Sequence, residues 1–193
     1  MPTVEPTTRT MRLIVQNAAS CCAEKENNML AYKGFVDYSQ ALVKAADAIG
    51  LARDILNKKL NEQEKKYSRE KELNVNGWGV LGELVAMKFL DERSIEYEHA
   101  PLIAPTPVKR ADIVMDGIKY DVKAVPPGGR QFMVNEEAHE QKDVDYYWFV
   151  QFSRSMRGYV YAFKHCEISD WGLAEPVQAN RTAHYYKDIE HIR

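Results

Sequence analysis

The sequence has little of what disulfide-stapled, zinc-binding or membrane proteins need. It contains three cysteines in 193 residues. Cys21 and Cys22 are adjacent, which would strain a disulfide between them, and Cys166 stands alone. We interpret all three as packing residues rather than as a disulfide framework, a zinc site or a redox pair. No apolar run approaches the ~20 residues of a membrane helix, so we expect no membrane partner.

A secretory signal and an excess of positive charge are missing as well. The first residues lack the long apolar stretch of a signal peptide, which favours a cytoplasmic protein. The formal net charge is −2, whereas nucleic-acid-binding proteins are usually basic. The total charge therefore gives no support to a DNA or RNA partner, although an acidic metal site lowers the total while local patches stay positive.

The residues that are present are typical of a globular protein, with 45% hydrophobic and 28% charged. Apolar residues at helical spacing predict a helix over residues 38–60, which would form a homodimer or cover a sheet. The polar segment 61–74 is interpreted as its solvated tail. A change of character near residue 74 predicts an N-terminal helical region or extension, residues 1–74, and a β-richer core, residues 75–193.

Within this core, helical and strand patterns alternate. GWGVLGELVAMKFLDER is apolar nearly all round and predicts a buried helix, and EEAHEQKD predicts a short polar helix or turn. The predicted strands are DIVM, IKYDVKAV, DYYWFVQF and GYVYAFKH, with a last strand or short helix in HYYKDIEHIR. We therefore expect an α/β fold with a mixed central β-sheet flanked by helices.

The first two of these strands are joined by Asp116-Gly117, a dipeptide typical of two-residue type I′ hairpins. Counting outward from this turn sets Asp112 opposite Asp121 and places Lys123 on the same face. Like charges in such a position are destabilising unless they are solvated, protonated or bound to a cation. Mg²⁺ commonly takes one or two carboxylates, so a cation site is one interpretation. A half-exposed hairpin whose polar face meets solvent is the other.

A third carboxylate, Glu83, lies on the apolar side of the predicted buried helix. A buried carboxylate costs several kcal/mol unless it is paired or binds a metal. Gly79 and Gly82 in the same helix would allow a close approach to another backbone. A role at the helix start is the alternative for Glu83.

Glu83 on a helix, Asp112 on one strand and Asp121-Val122-Lys123 on the next resemble the PD-(D/E)XK nuclease superfamily over residues 77–165. The resemblance implies a restriction-endonuclease-like αβββαβ core and an Mg²⁺-dependent, or Mn²⁺-dependent, endonuclease or exonuclease acting on DNA. It implies catalytic roles for Glu83, Asp112, Asp121 and Lys123, with Lys123 assisting the attacking water. The metal would be held by Glu83, Asp112, Asp121 and the Val122 carbonyl. Ala111 departs from the proline of the family pattern.

Six further residues are weaker candidates for contacts with DNA, and each also fits a solvated loop or surface helix: Lys109, Arg110, Arg130, Gln131, His139 and Lys142. The aromatic run Tyr146–Phe149 is interpreted as strand core rather than as a platform for stacking bases. Two other functions stay open. One is a nuclease-like fold that binds nucleic acid or protein without cleavage, and the other is a structural domain with solvated carboxylates.

Overall fold

Two β-sheets organise the protein, and helices pack against the larger sheet. The computed structural model describes residues 32–59, 73–103, 110–174 and 183–189, which all belong to one compact unit, Ala31–Arg193. The described helices are α1 (Gln40–Lys59), α2 (Val75–Asp91), α3 (Glu136–Gln141) and α4 (His165–Ile168). The described strands are β1 (Tyr32–Asp37), β2 (Glu98–His99), β3 (Ile113–Met115), β4 (Ile118–Val125), β5 (Gln131–Asn135), β6 (Tyr146–Phe152), β7 (Arg157–Lys164), β8 (Gly172–Ala174) and β9 (His184–Asp188).

The larger sheet has the strand order β1-β7-β6-β4-β3-β2, and the smaller sheet has the order β5-β9-β8. All neighbouring strands are antiparallel except β4 and β6, which are parallel. The predicted α/β class with a mixed sheet and flanking helices is therefore confirmed. None of the described helices has both the length and the apolar character needed to cross a membrane.

Several elements differ from the sequence prediction. The predicted helix over residues 38–60 is confirmed as α1, whereas β1 is a strand inside the region expected to be helical. β5, α4 and β8 were not predicted, and the tail forms the strand β9. The polar segment 61–72 lies outside the described residues. The domain boundary near residue 74 stays a prediction. Contacts join its two sides, because β1 pairs with β7 and α1 packs on α2.

The two long helices approach each other closely because both have a glycine at the contact. A methyl group added to Gly50 of α1 would lie 2.5 Å from the backbone nitrogen of Gly77 in α2. Asn74 caps α2, since its side-chain oxygen accepts a hydrogen bond from Gly77 N at 2.6 Å. Asp54 of α1 in turn accepts a hydrogen bond from the Asn74 amide at 2.8 Å. The start of α2 is thus fixed by residues of α1.

Both faces of β6, in the middle of the larger sheet, are buried, which explains its apolar sequence. Along β6, Trp148, Val150 and Phe152 pack toward α1 and α2 in one hydrophobic cluster. Tyr147 and Phe149 point to the other face and pack against β5 and Trp171 in a second cluster. The interpretation of Tyr146–Phe149 as strand core is confirmed for Tyr147, Trp148 and Phe149, whereas Tyr146 is half-buried.

The hairpin of β3 and β4 has the predicted register. The paired residues are Met115 with Ile118, Val114 with Lys119, and Ile113 with Tyr120. Asp116 and Gly117 have φ values of 50° and 79°, and a type I′ turn requires positive φ at both positions. The turn chemistry alone therefore sets this register.

Candidate active site

Strand β4 places Asp121 and Lys123 on the same side of the sheet. Asp121 is 0% exposed, and the Lys123 side chain is 33% exposed. The Lys123 ammonium lies 2.6 Å from Asp121 Oδ2. Strand alternation predicted that Asp121 and Lys123 share one face, and this is confirmed. The Asp121 carboxylate, however, is buried rather than solvated. This excludes, for Asp121, the interpretation of a polar face that meets solvent.

Asp112 lies one residue before β3, and its carboxylate turns back onto β4. Its Oδ2 accepts a hydrogen bond from Val122 N at 2.7 Å, and its backbone N–H donates to the Tyr120 carbonyl at 2.9 Å. The regular ladder ends at Ile113, so the predicted direct pairing of Asp112 with Asp121 is not part of it. The described contact of Val122 is made by its N–H, whereas the resemblance implied a role for its carbonyl.

The Asp121 carboxylate meets a second ammonium from another element. Lys142 directly follows α3, is 19% exposed, and its Nζ donates a hydrogen bond to Asp121 Oδ1. Among the described residues, none donates a hydrogen bond of good geometry to Asp121 Oδ2. The close Lys123 ammonium contributes charge there but approaches in an unfavourable direction. One oxygen of a fully buried carboxylate is thus left without a hydrogen-bond donor.

Glu83 is held by an arginine from α1. The Arg53 guanidinium donates two hydrogen bonds, from Nη1 to Oε1 and from Nη2 to Oε2, both at 2.8 Å. Arg53 Nε also donates to the Leu102 carbonyl. The Glu83 side chain is 12% exposed, which confirms the predicted buried position. It lies in the middle of α2, so a role at the helix start is wrong.

Only one of the two glycines near Glu83 supports a close approach. A methyl group on Gly82 would lie 3.2 Å from Ala124 Cβ on β4, so this glycine brings α2 close to the strand that carries Asp121 and Lys123. A methyl group on Gly79 would meet nothing within 4 Å. The expectation of a close approach is confirmed for Gly82 and wrong for Gly79.

Burial shifts the pKa values of two groups in this region. Burial lowers the pKa of the Lys123 ammonium, and the Asp112 and Glu83 carboxylates partly oppose that effect. Burial also raises the pKa of the Glu83 carboxyl, the hydrogen bonds from Arg53 oppose it, and the charge of Asp112 raises it further. Glu83 therefore lies near enough to Asp112 and Lys123 for their charges to interact.

We call these six residues the charged cluster: Arg53, Glu83, Asp112, Asp121, Lys123 and Lys142. The cluster contains three carboxylates and three cationic side chains, so its formal charges balance. The described ion pairs join Glu83 with Arg53 and Asp121 with both lysines. Asp112 accepts a hydrogen bond from Val122 N instead. Within the described ranges, no three His, Cys, Asp or Glu side chains form a group arranged to hold a metal ion. The cluster brings together all four residues predicted to be catalytic.

Four other residues predicted to contact DNA are Lys109, Arg110, Arg130 and Gln131, and the structure describes three of them. Lys109 is not among the described residues, and Arg110 is exposed. Arg130 is exposed, and its carbonyl accepts a hydrogen bond from Ile189 N at 2.9 Å. Gln131 begins β5, and its amide donates to Asp188 Oδ1 at 2.9 Å. The described contacts of Arg130 and Gln131 join the ends of β5 and β9.

His139 is buried, so the predicted surface position is wrong. It is 5% exposed, and its ring stacks on His165 with the centroids 3.9 Å apart. Its ring nitrogens lie 3.2 Å from the Tyr147 hydroxyl and 3.4 Å from the Ser169 hydroxyl. We call these four residues the histidine cluster. Burial, and to a lesser extent the charge of His165, lower the pKa of His139 to about 4.

Sequence reasoning missed Arg53 and the position of Lys142. Arg53 lies in a helix that was assigned to a separate N-terminal region, and its only signal was a cation beside the apolar stripe of that helix. Lys142 was considered for DNA, but its pairing with Asp121 requires β4 and β6 to be parallel neighbours. Neither contact follows from spacing along the chain.

Comparisons with known proteins add no relative. No protein-family model matches the chain, and no curated protein matches it in sequence. The functional interpretation therefore rests on the charged cluster itself.

Proposed function

We propose that the protein is a metal-dependent nuclease that hydrolyses phosphodiester bonds in DNA. The observation that supports this most directly is Asp121. It is a fully buried carboxylate with one oxygen that lacks a hydrogen-bond donor, and it lies beside Lys123 and next to the Val122 N–H that binds Asp112. Buried carboxylates are retained where they are paired or bind a cation.

The donor chemistry of the charged cluster fits Mg²⁺. Hard oxygen ligands suit this ion, and one or two protein carboxylates are commonly enough. Asp112 and Asp121 would hold it, with Glu83 and the Val122 carbonyl as the further ligands that the family resemblance implies. The ion would activate water and stabilise negative charge on the phosphate. Mn²⁺ has the same preference for carboxylate, carbonyl and water ligands.

Lys123 has properties that suit it to act on the attacking water. Burial lowers the pKa of its ammonium, which increases the fraction of neutral amine near neutral pH, the form that can accept a proton from water. Its ammonium form, in turn, stabilises negative charge that develops on the phosphate. Both roles place Lys123 beside the reacting atoms.

The order of the elements supports the finer fold proposal of a restriction-endonuclease-like core. A helix, α2, precedes the strands β3 and β4, and a short helix, α3, precedes β6. The strands β4 and β6 lie side by side and parallel. A crossover that contains a helix is the expected connection between parallel strands.

The proposal is tested by incubating the purified protein with linear, circular, branched and single-stranded DNA, and with RNA, each with and without Mg²⁺. We expect Mg²⁺-dependent cleavage of at least one DNA substrate. Asp121→Asn and Lys123→Met should each lower the rate by roughly 10²–10⁴-fold, the range typical of a lost acid–base group. The measurement is the initial rate of cleavage on gels.

Lys119→Met is the matched control, since Lys119 is a lysine of the same strand that pairs with the exposed Asp143. It should cleave at the wild-type rate. Circular dichroism should show that every variant is folded. Cleavage at the wild-type rate by a folded Asp112→Asn/Asp121→Asn protein would disprove the assignment.

A second function, binding of nucleic acid or protein without cleavage, is favoured by the balance of charges in the charged cluster. Arg53 already pairs with Glu83, and two lysines pair with Asp121, so these two carboxylates have counter-ions without a metal. Calorimetric titration with Mn²⁺ at neutral pH separates the two functions. Heat of binding that is lost in Asp121→Asn favours the nuclease, and no heat in the wild type favours the binding module.

A further inference from the structure

Lys142 occupies an unusual position for a residue of the charged cluster. It comes from neither the hairpin nor α2, but from the residue that follows the six-residue helix α3. Its ammonium donates to Asp121 Oδ1, while Lys123 lies 2.6 Å from Oδ2. The single carboxylate of Asp121 is therefore shared by two lysines.

A divalent cation at Asp121 would compete with these lysines. The cluster is balanced as it stands, so an added divalent ion gives it two excess positive charges. Like charges within a few ångströms in a buried region repel strongly. Oδ1, the oxygen that accepts from Lys142, can bind the ion fully only when the ammonium withdraws. Oδ2 accepts no hydrogen bond of good geometry from a described residue but lies 2.6 Å from the Lys123 ammonium, so an ion bound there also meets a positive charge.

Lys142 and Lys123 differ in how their backbones are held, although the Lys123 side chain is the more exposed of the two, 33% against 19%. Lys123 is an interior residue of β4, where its backbone pairs with β6 at Phe149. Lys142 has an extended backbone (φ −96°, ψ 124°) where α3 ends, and the next residue, Asp143, is exposed. The backbone at Lys142 can therefore shift together with its side chain without breaking a strand ladder, whereas the backbone at Lys123 cannot.

We propose that Lys142 is a displaceable counter-ion of Asp121. A divalent cation takes its place on the carboxylate, and the released ammonium binds the phosphate of the substrate. The inference rests on the proposed nuclease function and deepens it, because it assigns a substrate contact to a residue outside the hairpin. It also couples the two binding events, since the cation frees the group that holds the phosphate.

The first half of the proposal is that a cation displaces Lys142 from Asp121. It is tested by whether the substitution Lys142→Met raises or lowers the affinity for a metal ion. Calorimetry should show that Lys142→Met binds Mn²⁺ about tenfold more tightly than the wild type, because a charged hydrogen bond no longer competes for Asp121. A lysine that only positions Asp121 predicts the opposite, namely weaker binding by the variant. Lys119→Met, the control, should match the wild type.

Phosphate binding tests the second half without cleavage. Fluorescence anisotropy with a labelled DNA duplex is measured in Ca²⁺, a cation with the same preference for oxygen ligands, and in EDTA. Lys142→Met should bind the duplex several-fold more weakly than the wild type in Ca²⁺ and equally in EDTA, where Lys142 is held by Asp121. Equal binding in Ca²⁺ would overturn the proposal.

The failure of this inference is distinguishable from the failure of the proposed function. If neither protein binds Mn²⁺, the nuclease assignment fails and the inference falls with it. A second outcome is that the wild type binds Mn²⁺, Asp121→Asn does not, and Lys142→Met binds it with equal or lower affinity than the wild type. In that case the metal site stands and only the displacement of Lys142 is wrong.

Discussion

The charged cluster and the histidine cluster bury polar groups in two different ways, although α3 connects them. His139 lies in α3 and Lys142 directly follows it. Asp121 and Tyr147, one from each cluster, are neighbours in the parallel register of β4 and β6. The charged cluster keeps its ions and balances them. In the histidine cluster, burial lowers the pKa of His139 to about 4, so this ring is neutral at neutral pH.

This difference suggests separate roles for the two clusters: the charged cluster is the proposed functional site, and packing explains the histidine cluster. Replacing a buried ion pair by apolar residues is often neutral or stabilising, so stability does not explain three carboxylates and three cations in one place. Hydrogen bonds to protein groups satisfy the ring nitrogens of His139. His139 therefore needs no ligand, whereas the charged cluster carries the carboxylates and lysines on which the proposed nuclease function rests.

The largest predicted effect on stability comes from removing one charged side chain from the charged cluster. Asp121→Ala leaves Lys123 and Lys142 facing each other without their shared carboxylate. We expect the free energy of unfolding to fall by about 3–5 kcal/mol, as when one partner of a buried pair is lost. Urea denaturation at neutral pH measures this change.

The control for this prediction is Asp143→Ala, which removes a carboxylate that is 85% exposed and pairs with Lys119. It should change the urea midpoint little, because exposed pairs contribute little to stability. A structural domain with mutually repelling, solvated carboxylates predicts that Asp121→Ala stabilises the fold. An increase in the free energy of unfolding would favour that interpretation.

The histidine cluster should respond to pH rather than to charge removal. The unfolded chain protonates His139 near its ordinary pKa of 6.5, whereas the folded protein does so only near 4. Between these values the unfolded state binds more protons, so stability is fully present above pH 6.5 and is lost as the pH falls toward 4. The loss attributable to this group is at most about 3 kcal/mol, at 1.36 kcal/mol per pKa unit.

Urea denaturation at pH 5 and pH 7.5 measures this loss, and His139→Phe isolates the histidine from the carboxylates that titrate in the same range. The variant should lose less stability between the two pH values than the wild type. His99→Gln changes an exposed histidine and should behave as the wild type. Equal losses in His139→Phe and the wild type would show that His139 is not held neutral.

The parts of the site that the sequence predicted are those set by local geometry. Asp116-Gly117 fixes the turn, the turn fixes the register, and strand alternation then puts Asp121 and Lys123 on one face. Glu83 was predictable because its helical neighbours are apolar. Each of these inferences uses residues within one hairpin or one helix.

The parts that the sequence did not predict depend on which elements become neighbours. Arg53 reaches Glu83 only because α1 packs on α2, and Lys142 reaches Asp121 only because β6 lies beside β4. His139 has a polar helix around it in sequence, yet the smaller sheet and α4 cover it, with Tyr185 of β9 5.3 Å from its ring. Hydrophobic periodicity reflects local structure, so it does not predict contacts between elements that are distant in the sequence.

The smallest predicted effect separates charge from geometry within the charged cluster. Arg53→Lys keeps a cation beside Glu83 but loses the two parallel hydrogen bonds of the guanidinium. We expect the free energy of unfolding to fall by about 1.5 kcal/mol, the lower end of the contribution of one hydrogen bond to a charged group, because lysine can keep one bond and the pair is partly exposed. Arg157→Lys is the matched control, because Arg157 makes the same two-pronged contact with the exposed Asp37. Solvent can replace the bonds lost there, so its effect should be smaller. Equal effects of the two substitutions would mean that the burial of the Arg53–Glu83 pair adds nothing to its strength.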